Sequence, residues 1–113
     1  MMHNTKKITL GFTTIMHDPR LKYELSNNDY CIADAIYHLS HNPNAAVIGW
    51  CYASRQTIAS FFGISRQTVL NSLHSLEKKK LIEINEETRY IRTTKEWYEN
   101  FVMYKLATIK NKV

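Results

Sequence analysis

The stretch SRQTIASFFGISRQTVLNSLHSLEKKKLI, residues 54–82, decides how this chain is read. It holds one tetrapeptide twice, Ser54-Arg55-Gln56-Thr57 and Ser65-Arg66-Gln67-Thr68. Serine is a strong N-cap, because its hydroxyl accepts a bond from an amide that the first helical turn leaves orphaned. Each copy therefore predicts a helix start. Gly63 stands where the first helix must stop, since glycine enters the left-handed conformation without strain. Ile64 and Val69 have the spacing of a hydrophobic staple across the second cap. Two short helices about a glycine turn make a helix-turn-helix.

The second of these helices has two unlike faces. At about 100° per residue, Val69, Leu73 and Leu76 fall on one apolar stripe, with Gln67, Asn71, His74 and Lys78 opposite. Thr68 and Ser75 flank the polar side, and Leu70 lies on the boundary. That side lacks aliphatic and acidic residues, as reading a major groove requires. Glutamine and asparagine pair bidentately with adenine, arginine with guanine, and threonine meets base edges or the thymine methyl. The expected base-reading residues are Arg66, Gln67, Thr68, Asn71 and His74. Each helix N-terminus also offers free amides and a partial positive charge to phosphate. The expected phosphate contacts are Ser54, Arg55, Gln56, Ser65, Ser75, Lys78 and Lys79, with Arg89 and Arg92 further on.

Charge is concentrated on the same stretch. The chain of 113 residues carries a net +5. Residues 1–51 are balanced and residues 83–113 carry +1. Residues 52–82 hold Arg55, Arg66, Lys78, Lys79 and Lys80 against Glu77 alone. A basic patch confined to a motif of this shape predicts a polyanionic partner, with double-stranded DNA favoured. RNA is disfavoured, because a helix cannot read the narrow A-form major groove. The rival is a protein-interaction module without DNA binding, for which such local charge has no use.

The length predicts one domain, residues 1–113, and 44% apolar content is ordinary for a globular fold. No apolar run reaches membrane-spanning length, and no signal peptide is recognisable. Cys31 and Cys51 form neither a disulfide framework nor a metal spacing, and read as free thiols in a reducing cytoplasm. The glycines Gly11, Gly49 and Gly63 are isolated, so no phosphate-cradling loop is present. His38 and His41 make half a metal site with no second ligand pair. No enzyme activity, cofactor or metal is expected.

Along the chain, residues 1–7 read as flexible. Ile8 to Ile15 alternates as a short strand or an arm laid on the core, and Asp18-Pro19 signals a turn. A helix starts at Ser26, with Asp29 completing a capping box, and ends near His41 before Pro43. Asn42 to Asn44 is a loop, and Ala46 to Cys51 a short strand. After Lys80, two β-prone runs, Leu81 to Ile84 and Arg89 to Thr93, flank the polar turn Asn85–Thr88 as a hairpin. A last helix covers 95–110. Its stripe Trp97, Phe101 and Tyr104 docks on the core. The second stripe, Val102, Leu106 and Ile109, either faces a partner subunit as a homodimer element or packs within the domain.

Taken together, Tyr52 through Ala59, Gly63 through Val69, and Leu73 with Leu76 through Ile82 resemble the winged helix-turn-helix domains of bacterial regulators and of phage and plasmid replication initiators. The resemblance implies a mainly α fold with a small β-sheet, a winged helix-turn-helix carrying an added C-terminal helix. It also implies DNA binding, in a role of transcription regulation or DNA replication. The strand Ile48-Gly49-Trp50 leans toward the replication branch. Two departures stand out. Lys80 replaces the usual glycine before the wing, which forces a left-handed lysine or a different helix end. Glu86 and Glu87 sit at the wing tip, so its flank is expected to approach DNA.

Overall fold

The computed structural model describes residues 11–111. The expected flexible residues 1–7 and the part of the first β-prone run at Ile8–Leu10 lie outside them. Residues 11–16 have no regular secondary structure, although Ile15 and Met16 pack against the core. The elements then follow in order: α1 (His17–Lys22), α2 (Asn27–Ser40), α3 (Arg55–Phe62), α4 (Arg66–Lys78), β1 (Ile82–Ile84), β2 (Ile91–Thr93), α5 (Lys95–Trp97), a π-helical turn (Tyr98–Val102) and α6 (Met103–Asn111). The fold is mainly helical, with one two-stranded antiparallel sheet as the wing.

Cap chemistry sets the helix starts. Ser26 accepts from the Asp29 amide at 3.0 Å, and the Asp29 carboxylate accepts from the Ser26 amide at 3.2 Å, which completes the capping box. Ser54 and Ser65 accept from the amides of Thr57 and Thr68, each at 3.0 Å. Gly63 ends α3 with φ of 64°. From these starts α2 carries Tyr30, Ile32, Ala33, Ile36 and Leu39 into the core. It packs on α4 and β2, while α3 packs on α4. The predicted stripe Val69, Leu73 and Leu76 is buried there.

Three expectations are corrected. Asp18-Pro19 does not break the chain but lies in the first turn of α1. A proline costs nothing there, because its missing N–H would have had no intrahelical partner. The apolar run Ala46 to Cys51 is not a strand. Gly49 turns the chain with φ of 86°, Ile48 is exposed, and Cys51 alone bridges to Ile91. The C-terminal helix is interrupted: the Asn100 side chain donates to the Glu96 carbonyl at 2.9 Å, the oxygen an α-helical ladder would give to the Asn100 amide. A side chain competing for that carbonyl loosens the turn into π geometry.

The C-terminal segment docks through aromatic rings. Trp97 and Phe101 stack at 4.2 Å between centroids, and both meet Tyr30 edge-on. Tyr23 donates to Glu96 at 2.6 Å and Tyr104 to Asp18 at 2.9 Å, so α1 ties down the same segment. Of the two predicted stripes, Trp97 and Phe101 are buried and Tyr104 is half-buried. Leu106 and Ile109 remain 59% and 53% exposed.

Lys80 does adopt the left-handed conformation, with φ of 62°. Its amide bonds the Glu77 carbonyl and the Leu81 amide bonds Leu76, each at 3.0 Å, the paired bonds of a Schellman cap. A side chain in this conformation costs about 1–2 kcal/mol. Lys80→Gly should therefore raise stability by about 0.5–1 kcal/mol in urea unfolding, once the greater freedom of the unfolded glycine is allowed for. Lower stability would contradict the cap assignment. Burial, and secondarily the Asp34 charge, push the Tyr30 phenol up to about 12 against an opposing effect of the Met16 amide. Below pH 10 the phenol is protonated in both folded and unfolded chains and stability is flat. Between about pH 10 and 12 only the unfolded chain releases the proton, so stability should fall. Tyr30→Phe should make that alkaline fall shallower in denaturation midpoints taken across the range.

Candidate nucleic-acid interface

Because α4 buries Val69, Leu73 and Leu76, helical periodicity turns Gln67, Asn71, His74 and Lys78 outward, and all four are exposed. Arg66 is exposed at the N-terminus of the helix. Gln67 Nε2 donates to Asn71 Oδ1 at 3.0 Å, so the two amides one turn apart are already aligned. Glu77, the single acid of α4, lies off this face. Leu70, on the boundary, is half-buried.

The hydroxyl groups of the repeated tetrapeptide serve the caps. Ser54 Oγ lies 2.8 Å from Thr57 Oγ1, and Ser65 Oγ lies 2.9 Å from Thr68 Oγ1, besides the amide bonds already given. Thr68 is half-buried, as is Ser75. Gln56 is exposed one residue into α3.

The expected basic residues divide into two groups. Arg55 donates through Nη1 to the Arg89 carbonyl at 2.8 Å, which fastens α3 to the hairpin loop just before β2. Burial first, then the charges of Arg89 and Arg66, lower the Arg55 pKa from its ordinary value. An arginine so perturbed still carries its charge at neutral pH. Three guanidinium groups thus share one neighbourhood, and among the described residues none of them has a carboxylate partner. Arg89 sits in the left-handed region with φ of 65°, held by its amide to the Asn85 carbonyl at 2.9 Å.

Arg92 and Lys79 are engaged elsewhere. Arg92 is paired with Glu83 across the hairpin, and its guanidinium lies 4.2 Å over the Trp50 ring. Both side chains of this ion pair are about half exposed, at 47% and 49%. Lys79 Nζ donates to the Glu24 carbonyl at 2.8 Å and braces the α1–α2 turn. Lys78 stays exposed at the end of α4. At the wing tip Asn85 Oδ1 accepts the amides of Glu87 and Thr88, and both glutamates, Glu86 and Glu87, are exposed.

Sequence reasoning missed the aromatic pair Tyr52 and Tyr90, whose rings lie 6.2 Å apart beside the arginine cluster. The alternation of Trp50, Cys51 and Tyr52 about one buried cysteine was the available signal. The two histidines weighed as half a metal site have local partners: His38 lies 3.5 Å from Asp34, and His41 Nδ1 2.7 Å from the Tyr37 carbonyl. Among the described residues no cluster of three or more metal-ligating side chains occurs, and no helix is long and apolar enough to cross a membrane. Cys31 and Cys51 are unpaired.

Known proteins give a consistent comparison. The S. aureus MepR–DNA complex superposes with a TM-score of 0.63 at 18% sequence identity, covering 85% of this chain and 74% of that one. The likeness shows a shared fold. No curated protein matches the chain. Residues 32–96 match the family model of the Crp-like helix-turn-helix domain, from within α2 through the whole wing to the start of α5. With more than half of its length in that match, the chain belongs to the Crp-like helix-turn-helix domain family.

Proposed function

We propose that this protein is a transcriptional regulator that binds specific sequences of double-stranded DNA, with α4 as the recognition helix. The observation that carries the proposal is the exposed, acid-free face of α4 together with Arg55, Arg66 and Arg89, which have no carboxylate partner among the described residues. The face supplies direct readout: Arg66 suits guanine, and Gln67 and Asn71 suit adenine. His74 extends the same row. Arg55, Arg89 and Lys78 supply charge to the phosphates on either side, with Gln56 and the α3 N-terminus nearby. Phosphate contacts position the domain and base contacts specify its site. Ser54, Ser65, Thr68 and Ser75 act on this reading mainly through the caps and edges that hold the helix.

MepR was solved bound to DNA, which makes duplex DNA the natural partner to test here. Regulation is favoured over replication initiation, because the tryptophan-containing strand that leaned toward initiators is an irregular segment with a single bridge. The exposed Met103, Leu106 and Ile109 suit a homodimer through α6, and two copies would present two recognition helices to a two-fold symmetric site. The same stripe is where a protein-interaction module would make its contacts.

Site selection from a random duplex pool, followed by anisotropy titrations, tests the proposal. With three or four cations on phosphates, log K against log salt should fall with a slope of about −3 to −4 per domain. Arg66→Ala and Gln67→Ala should each cost about 1–3 kcal/mol on the selected site and relax its sequence preference. Arg89→Ala should weaken all sequences alike. Undetectable duplex binding at low salt would overturn the proposal. Equal, sequence-independent losses from Arg66→Ala and Arg89→Ala would remove Arg66 from base reading.

A further inference from the structure

The wing has a face that the recognition helix does not use. Cys51 and Ile91 exchange two backbone hydrogen bonds and are both buried, so the hairpin gains one residue of a third strand. Alternation then turns the neighbours of both residues to the opposite side. Trp50 comes to lie against Arg92, with the guanidinium 4.2 Å over its ring, and Tyr52 lies beside Tyr90 at 6.2 Å. Glu83 also faces outward, with its charge answered by Arg92. Three aromatic rings and one stacked guanidinium therefore line a single small sheet surface. Tyr52 is 47% exposed on it. At the Tyr90 end, in the hairpin loop, this surface adjoins both the Arg55–Arg89 contact and the exposed Glu86 and Glu87.

We propose that this face of the wing binds unpaired bases of single-stranded DNA. Non-specific single-strand sites combine positive charge along the backbone with aromatic rings on which bases stack, because every base offers a π-face. Here the arginines stand at one edge and the rings beside them. Arg92, its charge answered by Glu83, stacks on Trp50, and this pair continues the surface of the tyrosines. Three rings offer stacking positions to about three bases. The inference rests on nucleic-acid binding by the protein. It assigns a separate surface and a separate form of DNA from the α4 reading.

Titrating the full chain with an oligo(dT) strand, read by tryptophan fluorescence and by anisotropy of the labelled strand, tests it. Trp97 is buried, so quenching should come from Trp50. The expected result is saturable quenching, with a log–log salt slope near −2 for about three phosphates. Tyr52→Ala and Tyr90→Ala should each weaken oligo(dT) binding about tenfold. Their affinity for the selected duplex should stay within about twofold, and Tyr52→Leu, which keeps apolar bulk, should behave like Tyr52→Ala. Gln67→Ala should leave oligo(dT) binding unchanged. No quenching at low salt would overturn the proposal. Equal losses for single and double strands in the tyrosine variants would overturn it too, placing the pair in the duplex interface. Oligo(dT) binding without duplex binding would instead remove the α4 reading and leave this one standing.

Discussion

The structure depends on the burial of one stripe of α4. Val69, Leu73 and Leu76 are 0%, 3% and 0% exposed. With 3.6 residues per turn, fixing that stripe fixes what lies opposite. Packing α4 on α2 and α3 therefore does two things at once: it closes the core and orients Gln67, Asn71 and His74 toward solvent. The recognition face needs no loop to position it. Its rotation is as well determined as the core is, because turning the helix by one residue would bring a polar side chain into the core.

The second constraint is where the positive charges are anchored. Arg55 is half-buried and holds the Arg89 carbonyl, which ties α3 to the hairpin loop. Arg66 joins them from the start of α4. Bringing three guanidinium groups together with no carboxylate partner among the described residues is unfavourable in the free protein, and an anion relieves it. Arg92 shows the contrast: its partner Glu83 sits opposite it in the hairpin register, and the two are paired. Arg89 and the acids Glu86 and Glu87 thus share the hairpin loop, and the Arg89 backbone is the part held against α3.

Much of this was legible in the sequence, for reasons that can be named. The caps at Ser26, Ser54 and Ser65, the stop at Gly63 and the stripes of α2 and α4 are local rules acting within one or two turns. Lys80 stood out through the resemblance, which usually has glycine at that position, and left open a left-handed lysine or a different helix end; the structure has the left-handed lysine. What was not legible came from long-range pairing. Nothing near Arg92 announces Glu83 or Trp50, and nothing near Lys79 announces the Glu24 carbonyl. Ala46 to Cys51 has the composition of a strand, but the hairpin edge offers it a partner at one residue only. The π-helical turn turns on the Asn100 side chain competing for one carbonyl, which apolar periodicity cannot register.

The central claim is that the outward face of α4 reads bases. The side-chain amides of Gln67 and Asn71 report on it directly, since they bond each other in the free protein. Their NH₂ cross-peaks in a ¹⁵N-correlated NMR spectrum can be followed while a selected duplex is added. The account predicts that both pairs of peaks shift strongly, that a scrambled duplex moves them far less, and that amides of α6 stay in place. Shifts confined to α6 or to the wing tip, with the Gln67 and Asn71 amides unmoved, would contradict it.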